Sequence, residues 1–259
     1  MVALAQALGR LGETTGPEGA TSNILMSAIY SVFGGMCIAL LLYNLGLARA
    51  LQHKYLAFYC AMIAGMLLYA FSSSGALAWA MPWIDNNSRL KLNYFLLAVT
   101  GLAAILFLRH FFEEDVIPRW LGHALNIASV GVAASTMMIA VFAPWQLRWM
   151  DTAYASSFGF LVSLAIPMIV YAWRARSQFL WLFIIAWSAP IATATLRIAH
   201  GLSLLSYNFW LDNSTILSMA FEALLSSLAI AYRILLITRE RDTARADETA
   251  ARMLPMPIR

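Results

Sequence analysis

The sequence predicts an all-α, polytopic membrane protein: a bundle of seven transmembrane helices with the N-terminus outside and the C-terminus in the cytoplasm. Three observations carry that expectation. Of 259 residues, 61% are hydrophobic and only 12% are charged, whereas a soluble domain is about half apolar and about a quarter charged. The apolar residues gather into runs of about 20, the length that covers a ~30 Å hydrocarbon core at ~1.5 Å per residue. Basic residues alternate in density from one loop to the next. An unpaired backbone group in lipid costs too much for open strands, so each run is expected as a helix.

In chain order, residues 1–22 form an extracytoplasmic tail, an amphipathic piece followed by a Gly/Thr/Pro linker. They lack the basic start and continuous apolar stretch of a cleaved signal. The transmembrane domain, 23–237, holds seven runs: Ile24–Ala48, Leu56–Met81, Leu92–Phe112, Leu121–Ala143, Thr152–Trp173, Phe179–Leu202 and Thr215–Ile237. Loops of about four to twelve residues make successive helices antiparallel neighbours. Small residues at Gly34–Gly35, Ser72–Gly75 and Gly101–Ala104 suit close helix packing. Pro167 and Pro190 are expected to kink the fifth and sixth spans. After Ile237 the sequence turns charged and Ala-rich without a Gly or Pro break, so 238–259 is expected as a cytoplasmic signalling-helix stub ended by Pro255 and Pro257.

Orientation follows from the loops. Arg49, Lys54, Arg109, Arg119, Arg174 and Arg176 share one side with the tail residues Arg239, Arg241, Arg245, Arg252 and Arg259. The other side has Arg10, Arg89, Lys91 and Arg148. Basic excess marks the cytoplasm. Tryptophans fall at both expected interfaces: Trp79, Trp83, Trp145, Trp149 and Trp210 outside, Trp120, Trp173 and Trp181 inside. The net charge of +4 is thus a topology signal, and no nucleic-acid partner is needed to explain it. Cys37 and Cys60 lie within spans at different depths, which suits buried apolar residues rather than a disulfide.

Two charged residues stand inside the hydrocarbon zone. Arg197, in the sixth span, and Glu222, in the seventh, both lie about 8–10 Å below the outer boundary by helical rise. Intramembrane charges are normally paired, so an Arg197–Glu222 ion pair is expected between the last two spans. Pro190, Thr193, Arg197 and His200 share one helix face, and Ser218, Glu222, Ser226, Ala229 and Arg233 form a facing stripe. Two readings stand side by side: a pair that fixes helix register, and a cavity open to an external ligand.

Most other chemistry is excluded. His53, His110 and His123 sit at the inner face, two of them beside the acidic loop Glu113, Glu114 and Asp115, which suits solvated histidines better than haem ligands. A retinal Schiff base needs a lysine in the bundle, and the lysines are Lys54 and Lys91. No GxSxG, HExxH or phosphate-binding glycine loop occurs. The chain is therefore expected to be no enzyme, with no catalytic, cofactor or metal residues. A small-molecule or ion transporter is an alternative, and a membrane haem or redox protein a more distant one. Against the transporter stand the lack of a repeat and of paired broken helices.

The segment "SAIYSVFGGMCIALLLYNLGLARALQHKYLAFYCAMIAGMLLYAF" resembles the opening of the bacterial seven-transmembrane receptors with diverse intracellular signalling modules. Tyr43, Asn44 and Leu45, the short basic turn, and Tyr55 to Tyr59 carry the likeness. "MAFEALLSSLAIAYRILLITRER" is similar to the last span of that family, with Glu222 at its acidic position and Arg233 leading into a signalling helix; Tyr232 departs from the small or acidic residue usual there. The resemblance covers about residues 24–245. It implies a sensor in a bacterial inner membrane that perceives an extracytoplasmic ligand. It further implies a cytoplasmic output module of diguanylate cyclase or histidine kinase type, in cis or in trans, and a homodimer.

Overall fold

A computed structural model describes residues 17–112, 117–145, 147–177, 180–201 and 209–253, with helices and turns and no strand among the described residues. The helices are α1 (Pro17–Leu51), α2 (Lys54–Ser73), α3 (Ala76–Ala80), α4 (Asn86–Phe111), α5 (Arg119–Phe142), α6 (Leu147–Ser163), α7 (Ala165–Arg174), α8 (Leu180–Gly201) and α9 (Phe209–Met253). Six described segments are long and apolar enough to cross a membrane: Leu25–Leu51, Lys54–Ser73, Asn86–Phe111, Arg119–Phe142, Arg148–Arg174 and Ser214–Ala246. The expected sixth span corresponds to α8, whose stretch Ile184–Thr193 is apolar but shorter.

Sequence neighbours are spatial neighbours. α1 packs on α2, α2 on α4, α4 on α5, α5 on α6, α6 and α7 on α8, and α8 on α9, which returns to α1 and closes a ring. α2 also reaches α9 across the ring, and it is half buried where the apolar window of α1 is only 11% buried. The α2–α4 contact is close because a Cβ on Gly65 would overlap the Thr100 hydroxyl; one on Gly101 would fall 2.6 Å from Phe158 of α6. The end that holds the α1–α2 turn is called the inner end below.

Several expected boundaries move. α1 starts at Pro17, inside the expected tail, since a proline at a first helical position has no N–H to lose. The second run stops at Ser73 rather than Met81: Gly75 takes a left-handed φ of 86°, and α3 follows as a separate turn. α4 starts at Asn86, six residues earlier than expected, because Asp85 caps it. Asp85 Oδ2 accepts the backbone N–H groups of Asn87 (3.0 Å) and Ser88 (3.2 Å), while the Ser88 hydroxyl donates to Oδ1 (2.6 Å).

The expected kink of the fifth span takes the form of a break at Leu164, between α6 and α7. Pro167 cannot donate to the Ser163 carbonyl and its ring clashes there, so the ladder is interrupted three to four residues upstream. Pro190 lies within α8, whose helix continues through it. At the other end α9 passes 237 without a break and spans 45 residues, roughly 68 Å at helical rise. Cys37 and Cys60 are both buried and free.

Candidate functional site

The buried face of α9 is where polar groups collect. Ser218, Glu222, Ser226 and Ser227 are all buried, Glu222 with 7% of its surface exposed, among Ile216, Met219, Ala223, Ala229 and Ile230. The opposite face, with Phe221, Leu224, Leu228 and Leu235, is exposed to the bilayer. A three-to-four-residue spacing places Ser218, Glu222 and Ser226 one turn apart on one side.

Each level of this column meets a different helix. Highest stands Ser218, whose Oγ lies 3.0 Å from Thr193 Oγ1 on α8. Thr193 Oγ1 also lies 2.9 Å from the Ala189 carbonyl and 3.1 Å from that of Pro190, the back-bonding of a threonine inside a helix. The Tyr59 hydroxyl of α2 donates to the Ala223 carbonyl, beside Glu222. Tyr59 lies five residues into α2, roughly 8 Å from its inner end by helical rise, and is fully buried, so the Glu222 turn stands well away from the outer end of the bundle. Below it, Asn44 of α1 donates through Nδ2 to the Leu40 carbonyl (2.8 Å) and to Ser227 Oγ (3.3 Å).

At the inner end Arg233 leaves α9 and reaches across the bundle. Its Nη1 donates to the Phe111 carbonyl and, at 3.4 Å, to that of His110, the last carbonyls of α4. Its guanidinium carbon sits 4.6 Å from the Tyr55 ring centre and 5.1 Å from that of Phe111. A cation at a helix C-terminus meets the negative end of the dipole and its free carbonyls, and the two ring faces add cation–π attraction. The contact ties the last helix to α2 and α4 at once.

The column is not fully satisfied. Asn44 Oδ1, Tyr55 Oη and Ser226 Oγ are buried without a hydrogen-bond partner. Ser226 borders a void of about 10 Å³ with Phe107, Phe111 and Trp187, a space at the lower limit for one water. A buried polar atom left unpaired costs roughly 1–3 kcal/mol.

The structure thus brings together Thr193 with Ser218, and Asn44 and Arg233 with other helices. Tyr43 is more than half exposed, beside Asn44 but facing outward. Arg197 and His200 belong to α8, and their side chains lie outside the described residues. The acidic loop 113–116 also lies outside them. His53 stacks on Tyr55 at 5.3 Å, and His110 packs on Phe58 at 5.0 Å with its Nδ1 2.8 Å from the Leu106 carbonyl. Among the described residues no three His, Cys, Asp or Glu side chains group as a metal site. Sequence reasoning missed Tyr59, Tyr55 and Ser227 as members of the column. The available signal was the four-residue spacing of Tyr55 and Tyr59, which puts both on one face of α2.

The model of the family described as 7TM diverse intracellular signalling matches residues 26–233, most of the chain, from the start of the first span to Arg233. No curated protein and no solved structure matches it.

Proposed function

The chain belongs to the 7TM diverse intracellular signalling family, and on that premise we propose that it senses an extracytoplasmic ligand and relays the event along α9 to a cytoplasmic output module. The observation that carries this reading is the polar column on a helix that runs unbroken from Phe209 to Met253. The ligand would act at the outer part of the column, where Thr193 and Ser218 meet, with Arg197 one turn further out on α8 and Glu222 one turn further in on α9. Ligand binding then favours one of two arrangements of α8 and α9. Asn44 Oδ1 and Ser226 Oγ, unpaired at the buried face of α9, support a joint that is not locked by a complete set of hydrogen bonds. Arg233 sets the position of the extension relative to α2 and α4.

The chain itself performs no catalysis in this reading. The output module, a diguanylate cyclase or histidine kinase, acts in cis or in trans, within a homodimer in a bacterial inner membrane. The N-terminus lies outside and the C-terminus inside, as the basic residues of the loops favour. Membrane-impermeant thiol labelling tests the orientation: cysteines at Trp83 and Trp145 react in intact cells and one at Arg176 does not. The reverse pattern overturns it.

Spin labels at Ala244 read the relay. Glu222→Gln replaces the carboxyl group by an amide of nearly the same shape and is expected to change the label-to-label distance between copies in membranes. Identical distance distributions with and without the substitution, in a protein that accumulates normally, refute coupling through Glu222. No distance signal between copies at any protein level refutes the homodimer.

A further inference from the structure

We propose that the seam between α1 and α9 holds one anionic phospholipid, its acyl chain in a groove between the helices and its phosphate at the α1–α2 turn. This goes beyond the sensing role and does not rest on it. The groove has a volume of about 360 Å³, with Tyr43, Gly46, Ala50 and Leu51 on the α1 side and Ala231 and Ile234 on the α9 side. Small residues create it: a Cβ built on Gly46 meets nothing within 4 Å. A gap of this kind forfeits dispersion contacts if unfilled, and what surrounds it in a bilayer is hydrocarbon. An acyl chain fills it.

Hydrocarbon alone selects no lipid, because every tail is about as apolar as leucine. Selection comes from the inner end of the groove. Leu51 lines the groove and ends α1; Gln52 then takes a left-handed φ of 54° and turns the chain directly into α2. Arg49, His53 and Lys54 stand in this turn, with Arg49 and Lys54 both exposed, and residues 24–84 carry no acid. α2 itself starts without a side-chain cap and without an acid in its first turn. Its first N–H groups lie at the positive end of the helix dipole, the Leu56 N–H donating to the His53 carbonyl at 3.1 Å and none of them capped by a side chain. A phosphate ester here meets two cationic side chains and a helix N-terminus, the arrangement that binds anions. The nearest described carboxylate on the α9 wall, Asp242, lies eight residues past Ile234, about 12 Å further along the helix.

Native mass spectrometry of the full chain tests the proposal, in micelles doped equally with phosphatidylglycerol and phosphatidylcholine of matched tails. The expected result is one retained lipid per chain with a phosphatidylglycerol excess of tenfold or more, since each basic residue near a lipid surface contributes about fivefold. The double substitution Arg49→Gln with Lys54→Gln is expected to bring the ratio to about one. Gly46→Leu, at an open helical position, fills the groove and is expected to remove the retained lipid whatever its headgroup. A ratio near one in the unsubstituted chain overturns the proposal, and so does an excess that survives Gly46→Leu. The rival occupant is a second copy of the chain. Disulfide-linked dimers from Ala50→Cys in native membranes, together with no retained lipid, assign the groove to it instead.

Discussion

The inner and outer ends of the bundle are each tied by a polar contact between helices distant in sequence, and the two ties are built differently. At the inner end the half-buried Arg233 of α9 donates to the last carbonyls of α4 and lies over two aromatic rings. At the outer end the Tyr94 hydroxyl of α4 donates at 2.7 Å to Asp151 of α6, an exposed carboxylate. Tyr94 also meets the Tyr154 ring edge-on, with centroids 5.0 Å apart. Both ties join α4 to a partner, but the Arg233 contacts are part-buried where the Tyr94–Asp151 contact is exposed. Water replaces a lost contact more readily at the outer end than at the inner one. In the proposed reading, the contrast places the better-protected joint at the end from which α9 would carry the relay.

Removing the inner tie is expected to have the largest effect. Arg233→Ala leaves the His110 and Phe111 carbonyls without their cation and empties the space between Tyr55 and Phe111. Charge-assisted hydrogen bonds and cation–π attraction together make the expected loss about 3 kcal/mol, read as thermal unfolding in micelles. Arg233→Lys keeps the charge but not the planar guanidinium, and is expected to recover only part of it. Equal stability of Arg233→Ala and the unsubstituted chain would mean that α9 is held by its apolar face alone.

Tyr59→Phe comes next and sharpens the contrast within the column. The ring still packs 5.5 Å from Phe107, while the Ala223 carbonyl loses its second donor. The expected cost is about 1 kcal/mol, with a change in the Ala244 label distances if Tyr59 sets the register of α9. Tyr94→Phe at the outer end is expected to cost less than about 1 kcal/mol, because the freed Asp151 returns to water. A larger loss than Tyr59→Phe would reverse the ranking of the two ends.

Much of this architecture was legible in the sequence, for a physical reason: a membrane span must be long, apolar and helical, and hydropathy reports all three. What hydropathy does not report is what an apolar residue touches. α1 and α2 are both apolar throughout, yet α2 lies inside the ring and α1 mostly against lipid; a lipid tail and a leucine are alike to the pattern. The same blindness carried the second span through Gly75, since Ala76–Ala80 is as apolar as what precedes it. Within the site, Ser218, Glu222 and Ser226 could be read from spacing on one helix. For Tyr59 the spacing from Tyr55 marks a shared face of α2 but not that this face meets α9, which no local spacing encodes. Asn44 was visible through family likeness, but its contact with Ser227, 183 positions away, was not.

The smallest effect concerns the outer end again, through acid. Asp85 caps α4 with its carboxylate, and its pKa is held below the ordinary 3.8 chiefly by the Ser88 hydroxyl, then by the backbone N–H of Ser88 and of Asn87. A carboxyl whose folded pKa is depressed binds its proton more readily in the unfolded chain. Its stabilising contribution is therefore complete above about the ordinary value and is lost as pH falls through the folded one. The first turn of α4 is expected to hold at neutral pH and to fray only as the pH falls below 3.8. Hydrogen exchange at Asn87 and Ser88 reads this directly. Asp85→Asn keeps a capping oxygen but cannot titrate, so protection at these two amides should become independent of pH, apart from the intrinsic exchange rate. Fraying that follows the same acid profile in Asp85→Asn would assign it to another group. Because this cap is fully exposed, the inner tie at Arg233 should be unaffected across the same range.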